Sequence, residues 1–209
     1  MSPRDRIAGS RLYLVCDARP REFLAAAIRG GVDVIQLRDK ALDDDGLVTA
    51  AREFRAAADA GGALFVLNDR PDLVKACGAD GVHVGQEDGS PADARAAAGP
   101  DAIVGCSTHA PDQCDAAEAD PDVDYLAAGP VHATPTKPGR PAAGLDYISY
   151  AAAHADKPWF AIGGLDAGNV HEVLARGARR IVVVRAITAA PEPEAAARGL
   201  RAALDGGRG

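Results

Sequence analysis

The chain has 209 residues, 47% of them hydrophobic and 25% charged, and a formal net charge of −7. That is long enough for one well-buried core and too apolar for disorder. The acidic balance, with no basic tract and no basic stripe interleaved with aromatics, argues against a nucleic-acid partner, and no apolar run approaches membrane-spanning length.

The opening residues, "MSPRDRIAGS", lack the apolar centre of a signal peptide, so a cytoplasmic protein with a short disordered N-terminal tail is expected. From there, β-branched runs alternate with Ala-rich helical stretches. The run "LYLVCD" (12–17) reads as a strand and "REFLAAAIRGG" (21–31) as a helix. The run "VDVIQLRD" (32–39) is a strand and leads into the helix "DDDGLVTAAREFRAAADAGG" (43–62). Four further strand candidates follow: "ALFVLND" (63–69), "GVHVG" (81–85), "AIVGCST" (102–108) and "DYLAAGPV" (124–131). The strand "WFAIGG" (159–164) precedes the helix "NVHEVLARGA" (169–178). The strand "RIVVVRAI" (180–187) precedes the closing helix "EPEAAARGLRAAL" (192–204) and a frayed "DGGRG".

Eight βα units in a row predict parallel strands joined by crossover helices, hence an α/β protein. In a chain of this length they predict a (β/α)8 TIM barrel, one domain over residues 1–209. An open doubly wound sheet is disfavoured by the unit count and by the absence of GxGxxG after the first strand. Glycines in "GAD" and "GAR", Gly78 and Gly177, recur before strands as helix stops. Cys16, Cys77, Cys106 and Cys114 form no CxxC pair and read as reduced structural thiols, not as a disulfide or metal set.

A barrel of this kind carries its active site at the C-terminal ends of the strands. The second strand ends "QLRDK". Alternation puts Gln36, Arg38 and Lys40 on one side and Asp39 on the other. Two cations and an amide at a strand end suit an anion, although a solvated strand end would carry the same letters. The third strand ends with Asn68 and Asp69, and Asp88 follows the fourth. Two carboxylates at neighbouring strand ends repel unless a cation lies between them, and hard oxygen ligands suit Mg²⁺. The plainer alternative is that Asp69 and Asp88 cap the helices starting near Pro71 and Ser90.

Ser107 and His109 fall on the rim after the fifth strand. Gly163 and Gly164, after the seventh, allow a ligand close to the backbone, where such barrels bind phosphate. His83, inside the fourth strand, faces the core or barrel interior and reads as a hydrogen-bonded core histidine. His132 is a rim residue, and Trp159, at the start of the seventh strand, is a packing residue. After the sixth strand comes "GPVHATPTKPGRPAAGL" (129–145), a proline-stiffened loop that carries Thr134, Thr136 and Lys137.

Together "QLRDK", "LNDRPDL", "GADGVHVGQED", "GCSTH", "GPVHATPTKPGRPAAGL" and "AIGGLDAGNV" resemble the thiamine-phosphate synthase family, in order, from "LYLV" to "VVVRAI". The resemblance implies a (β/α)8 barrel that joins hydroxymethylpyrimidine diphosphate to a thiazole phosphate, or to its carboxylated tautomer, and releases pyrophosphate. It implies that Gln36, Arg38, Asp39, Lys40, Asn68, Ser107 and Lys137 hold the pyrimidine diphosphate, with Arg38, Lys40, Lys137 and Ser107 as the catalytic set. It assigns Mg²⁺ to Asp69 and Asp88, and the thiazole phosphate to Thr134, Pro135, Thr136, Gly164, Val184 and Arg185. The reaction it implies is dissociative, so the protein stabilises leaving-group charge and supplies no nucleophile.

One position departs from the family pattern, which commonly has a small serine where this chain has Arg185. Three rival readings are weighed: a thiazole tautomerase on the same barrel, which would not need the full set of Arg38, Lys40, Asn68, Asp69, Asp88 and Lys137 present here; a sugar-phosphate isomerase, which would need a placed general base where no strand-end Glu stands out; and a non-catalytic module for thiamine precursors, which the sequence leaves open. The expected partners are small-molecule substrates, with no nucleic acid and no membrane, and the chain is compatible with a homo-oligomer.

Overall fold

Every strand in this chain is followed by helical structure, which forces successive strands to run the same way. The computed structural model describes residues 2–133 and 141–206. In chain order the first half contains α1 (Pro3–Gly9), β1 (Leu12–Cys16), α2 (Arg21–Arg29), β2 (Val34–Leu37), α3 (Asp44–Gly61), β3 (Leu64–Asn68), a 3₁₀ turn (Pro71–Leu73), α4 (Val74–Cys77) and β4 (Gly81–Val84). The second half contains α5 (Pro91–Ala98), β5 (Ile103–Thr108), α6 (Pro111–Ala119), β6 (Tyr125–Ala128), α7 (Gly144–His154), β7 (Trp159–Ile162), α8 (Val170–Ala175), β8 (Ile181–Val183), α9 (Arg185–Thr188) and α10 (Pro193–Gly206). The strands pair in sequence order, and Leu12 of β1 pairs with Ile181 of β8, which closes the barrel.

The period of two along each strand divides the core. Tyr13, Val15, Val34, Leu64, Val66, Ile103, Tyr125, Phe160 and Val182 fill the barrel interior. Their neighbours Leu14, Ile35 and Phe65 point outward and pack with Leu24 of α2 and Phe54 of α3. Trp159 belongs to this outer shell. Inside, Phe160 meets Tyr13 and Tyr125 edge-on, with ring centroids 5.5 and 5.7 Å away. Gly105 of β5 makes room for this cluster, since a Cβ there would overlap the Tyr125 ring. All four cysteines are free and buried.

The N-terminal end of the barrel carries a repeated clamp. Asp33, Asp80 and Asp124 immediately precede β2, β4 and β6. Each accepts a backbone N–H from the preceding strand: Leu12 to Asp33 at 3.0 Å, Phe65 to Asp80 at 2.8 Å and Val104 to Asp124 at 2.8 Å. Each also meets an arginine: Arg201 at 2.9 Å, Arg55 at 3.0 Å and Arg95 at 2.6 Å. The clamps fix strand register far from the catalytic end. Gly78 and Gly177 both have positive φ where the preceding helices stop, at 64° and 96°.

Four expectations change in detail. The N-terminal segment is not a disordered tail. Ser2 caps α1 with a reciprocal Asp5 box, and Ile7 packs into the interior cluster, closing the bottom of the barrel. At the other terminus, Asp205 and Gly206 belong to α10. β6 stops at Ala128, because Gly129 takes a φ of 158° and Pro130 has no N–H for the ladder. β8 stops at Val183, and Arg185 opens a short helix instead of continuing the strand.

Candidate active site

The C-terminal ends of the strands enclose a cavity of about 650 Å³. Gln36, Arg38, Asp39, Lys40, Asn68, Asp69, Asp88 and Ser107 all line it. Tyr13, Asp17, Gly85, Gln86 and Glu87 line it too, and sequence reasoning had singled out none of them. A second cavity of about 300 Å³ adjoins the first and is lined by Ser107, His109, Gly163, Gly164, Val184 and Arg185. Ser107, Ile162, Val182 and Val184 form the wall common to both.

β2 ends at Leu37, so strict alternation does not reach Asp39. The Arg38 amide still extends the ladder by donating to Cys16 O at 2.8 Å. Beyond it the chain turns, and Asp39 lines the cavity on the same side as Arg38 and Lys40, not opposite them. Its carboxylate accepts from the amides of Ala18 at 3.2 Å and Ala41 at 3.1 Å. It therefore braces the loops after β1 and β2 beside the two cations. Gln36 lies deeper, is 3% exposed, and donates through Nε2 to the Tyr13 hydroxyl at 2.7 Å.

Asp69 and Asp88 do not cap helices. The 3₁₀ turn after Asp69 has no side-chain cap, and α5 is capped by Ser90. Asp69 has a φ of 58°, the one positive value at a non-glycine among the described residues. Such backbone strain collects at functional sites. Its amide donates to His83 O at 2.9 Å, which ties the end of β3 to β4. Burial raises the Asp69 carboxyl above its ordinary range and the charge of Asp88 raises it further, while Asn68 and Lys40 pull the other way. Asp88 is held by the Gly85 amide at 3.1 Å. A Cβ at Gly85 would sit 2.5 Å from Asp88 Oδ2, so a side chain here would push the Asp88 carboxylate out of its place against the Gly85 amide. The sequence signal for this was the Gly-x-x-Asp spacing of "GQED".

Among the described residues no group of three or more His, Cys, Asp or Glu is placed to hold a metal ion. Two repelling carboxylates, one of them raised by the other's charge, fit a hard cation that takes its remaining oxygens from water and phosphate.

On the far side of the shared wall, Gly163 and Gly164 have φ values of 110° and 67°. A Cβ on Gly163 would lie 2.5 Å from Pro130 Cα, so two loops pass at backbone contact. Val131 N donates to Ile162 O at 2.8 Å and His132 N to Gly163 O at 3.1 Å, which docks the start of the 129–145 loop on β7. His132 pairs with Glu172 at 3.4 Å, and His109 Nδ1 bonds Gly129 O. Arg185 is exposed on the second cavity and makes no ion pair with a described residue. Thr134, Pro135, Thr136 and Lys137 lie outside the described residues.

The sequence profile of a family described as thiamine monophosphate synthase matches residues 12–187. A thiamine-phosphate synthase of Thermobifida fusca is 51% identical over 207 residues, covering 96% of this chain and 95% of that protein. One from Thermus thermophilus is 53% identical over 205 residues, covering 94% of this chain and 98% of that protein. Among solved structures, a thiamine phosphate pyrophosphorylase from Pyrococcus furiosus superposes with a TM-score of 0.87 at 29% identity, covering 97% of this chain and 99% of that one.

Proposed function

Since this chain belongs to the thiamine monophosphate synthase family, transferases of thiamine biosynthesis, we propose that it joins hydroxymethylpyrimidine diphosphate to a thiazole phosphate and releases pyrophosphate. The observation that supports this most is the shared wall of the two cavities. One cavity has the cations and carboxylates a diphosphate needs, and the other has a glycine turn open to a monophosphate. Two phosphorylated molecules bound this way would present their reacting ends to each other at Ser107 and Ile162. Holding both in one geometry removes much of the entropic part of a bimolecular barrier.

In this reading Arg38 and Lys40 grip the diphosphate at the mouth of β2, and Lys137 joins them from the loop. Ser107 donates its hydroxyl to a diphosphate oxygen, and Asn68 and Gln36 orient the pyrimidine. These donors strengthen as negative charge collects on the departing pyrophosphate, and this lowers the barrier. No side chain is required as nucleophile, because the pyrophosphate leaves with the C–O electron pair, the aminopyrimidine ring stabilises the resulting cation, and the thiazole nitrogen attacks that carbon. Asp69 and Asp88 would hold the Mg²⁺ that accompanies the diphosphate. When bound, the ion neutralises leaving-group charge.

Gly164, with the backbone of Val184 and Arg185, receives the thiazole phosphate, and Thr134 and Thr136 complete its shell. If the thiazole arrives as its carboxylated tautomer, the same coupling is followed by loss of CO₂.

The test is direct. Purified protein with both substrates and Mg²⁺ should release pyrophosphate and form thiamine phosphate in equal amounts. Isomerisation of a thiazole carboxylate without pyrophosphate release would instead indicate a tautomerase, and tight binding without turnover would indicate a binding module.

A further inference from the structure

Five buried side chains link the two ends of the pyrimidine-diphosphate site through the barrel interior. Gln36 Nε2 donates to Tyr13 Oη at 2.7 Å. Tyr13 and Tyr125 hydroxyls are 2.9 Å apart. Tyr125 Oη is 3.0 Å from His83 Nδ1, and His83 Nε2 is 2.9 Å from Ser107 Oγ. The chain passes from β2 through β1, β6 and β4 to β5, and all five residues are at least nine-tenths buried.

A phenol has one hydrogen and a neutral imidazole has one N–H. Burial holds both tyrosines in the protonated form, pushing each phenol well above its ordinary range. With His83 neutral, the hydrogens of such a chain all point the same way. With Gln36 donating to Tyr13, the Tyr13 hydrogen goes to Tyr125 and the Tyr125 hydrogen to His83 Nδ1. His83 is left with its N–H on Nε2, and that donates to Ser107 Oγ. The Ser107 hydrogen is then free to point into the cavity. Reversing the amide reverses every link. His83 would carry its N–H on Nδ1, Ser107 would donate to His83, and only lone pairs would face a diphosphate oxygen.

We propose that Gln36 sets the polarity of this chain and that His83, a positioning residue, thereby holds Ser107 as a hydrogen-bond donor to the leaving group. The inference rests on the reading of the reaction given above. The number of protons is the same in both polarities; only their positions differ. The cavity favours the polarity seen. Gln36 lines it together with Arg38 and Lys40, and its carbonyl oxygen has no hydrogen bond to a described residue. The negative end of the amide dipole is therefore left for the side where the cations stand, while the N–H end is spent on Tyr13. Orientation of the pyrimidine end and donation at the diphosphate end are thus coupled without direct contact.

The experiment reads the His83 tautomer by ¹⁵N NMR of the imidazole in the substrate-free protein, with His83→Gln to assign the signals. The wild type should show the Nε2–H tautomer alone. Gln36→Met keeps the side-chain length but has no N–H, and should let the Nδ1–H tautomer appear. Tyr125→Phe cuts the chain before His83 and should do the same; if it fails to fold, Gln36→Met still decides. Nδ1–H in the wild type, or an unchanged tautomer in Gln36→Met, overturns the proposal. Kinetics supply a second readout. Tyr125→Phe touches neither substrate and should lower kcat by about tenfold to hundredfold, the loss of one hydrogen bond to a charged group, with KM for the pyrimidine diphosphate little changed. In a Ser107→Ala background the same substitution should have almost no further effect. If the tautomer moves as expected but the two kinetic losses simply add, the polarised chain stands and Ser107 leaves the proposed reaction.

Discussion

Asp69 and Asp88 stand against each other at the mouths of β3 and β4, and burial together with the charge of Asp88 raises the Asp69 carboxyl. An arrangement that costs stability in the free protein has a use when a cation is shared between the two. Activity should therefore be lost in excess EDTA and restored by Mg²⁺. Asp69→Ala or Asp88→Ala should remove most of it without unfolding the chain. Asp69→Asn should raise the urea midpoint of the metal-free protein while lowering kcat, since it removes the repulsion. Gly85→Ala should weaken Mg²⁺ activation, because the new Cβ would displace the Asp88 carboxylate it sits 2.5 Å from. Full turnover in EDTA would falsify the metal assignment.

The loop residues of "ATPTKPG" are assigned by sequence, and kinetics can separate their roles. Lys137→Ala should depress kcat more than it weakens substrate binding, because leaving-group charge grows in the transition state. Thr136→Ala should instead raise KM for the thiazole phosphate. An unchanged kcat in Lys137→Ala removes that residue from the reaction.

Arg185 opens α9 on the second cavity, exposed and without an ion pair to a described residue. The backbone carries most of the phosphate site in the proposed reading, so the side chain adds little. Arg185→Ser should leave kcat nearly intact and change KM for the thiazole phosphate by less than about tenfold, equivalent to roughly 1.4 kcal/mol. Steady-state kinetics on this one variant decide it, and a collapse of kcat would make the guanidinium part of the catalytic machinery.

The clamps at the bottom of the barrel should act on stability alone. Asp80→Ala leaves the Phe65 amide without its acceptor and leaves Arg55 with Asp59 as its carboxylate partner. A loss of about 1.5–3 kcal/mol is expected, the range for hydrogen bonds to a charged group. Urea unfolding measures it. The prediction fails if kcat falls in step with stability, since the clamp lies at the end of the barrel opposite the cavity.

Much of the architecture was written in the sequence because it is local. Alternation of β-branched runs with helices gave eight parallel strands, and glycines such as Gly78 marked where helices stop. The position of a residue at a strand end was enough to gather Arg38, Lys40, Asn68, Asp69, Asp88 and Ser107 around one cavity. Local signals failed where the backbone departs from the repeat. Asp39 left the alternation because β2 ends at Leu37, and Arg185 became helical because β8 ends at Val183. A tail is the expectation where Ile7 plugs the barrel, since nothing in "MSPRDRIAGS" says that the bottom of the barrel will cover an amphipathic turn. The tertiary structure alone decided which inward-facing residues meet. Period two says that Tyr13, His83, Ser107 and Tyr125 point inward, but not which of them touch, because contact across a barrel depends on stagger between strands far apart in the chain. Only closure of β8 on β1, with Gly105 clearing space for the Tyr125 ring, connects Gln36 to Ser107.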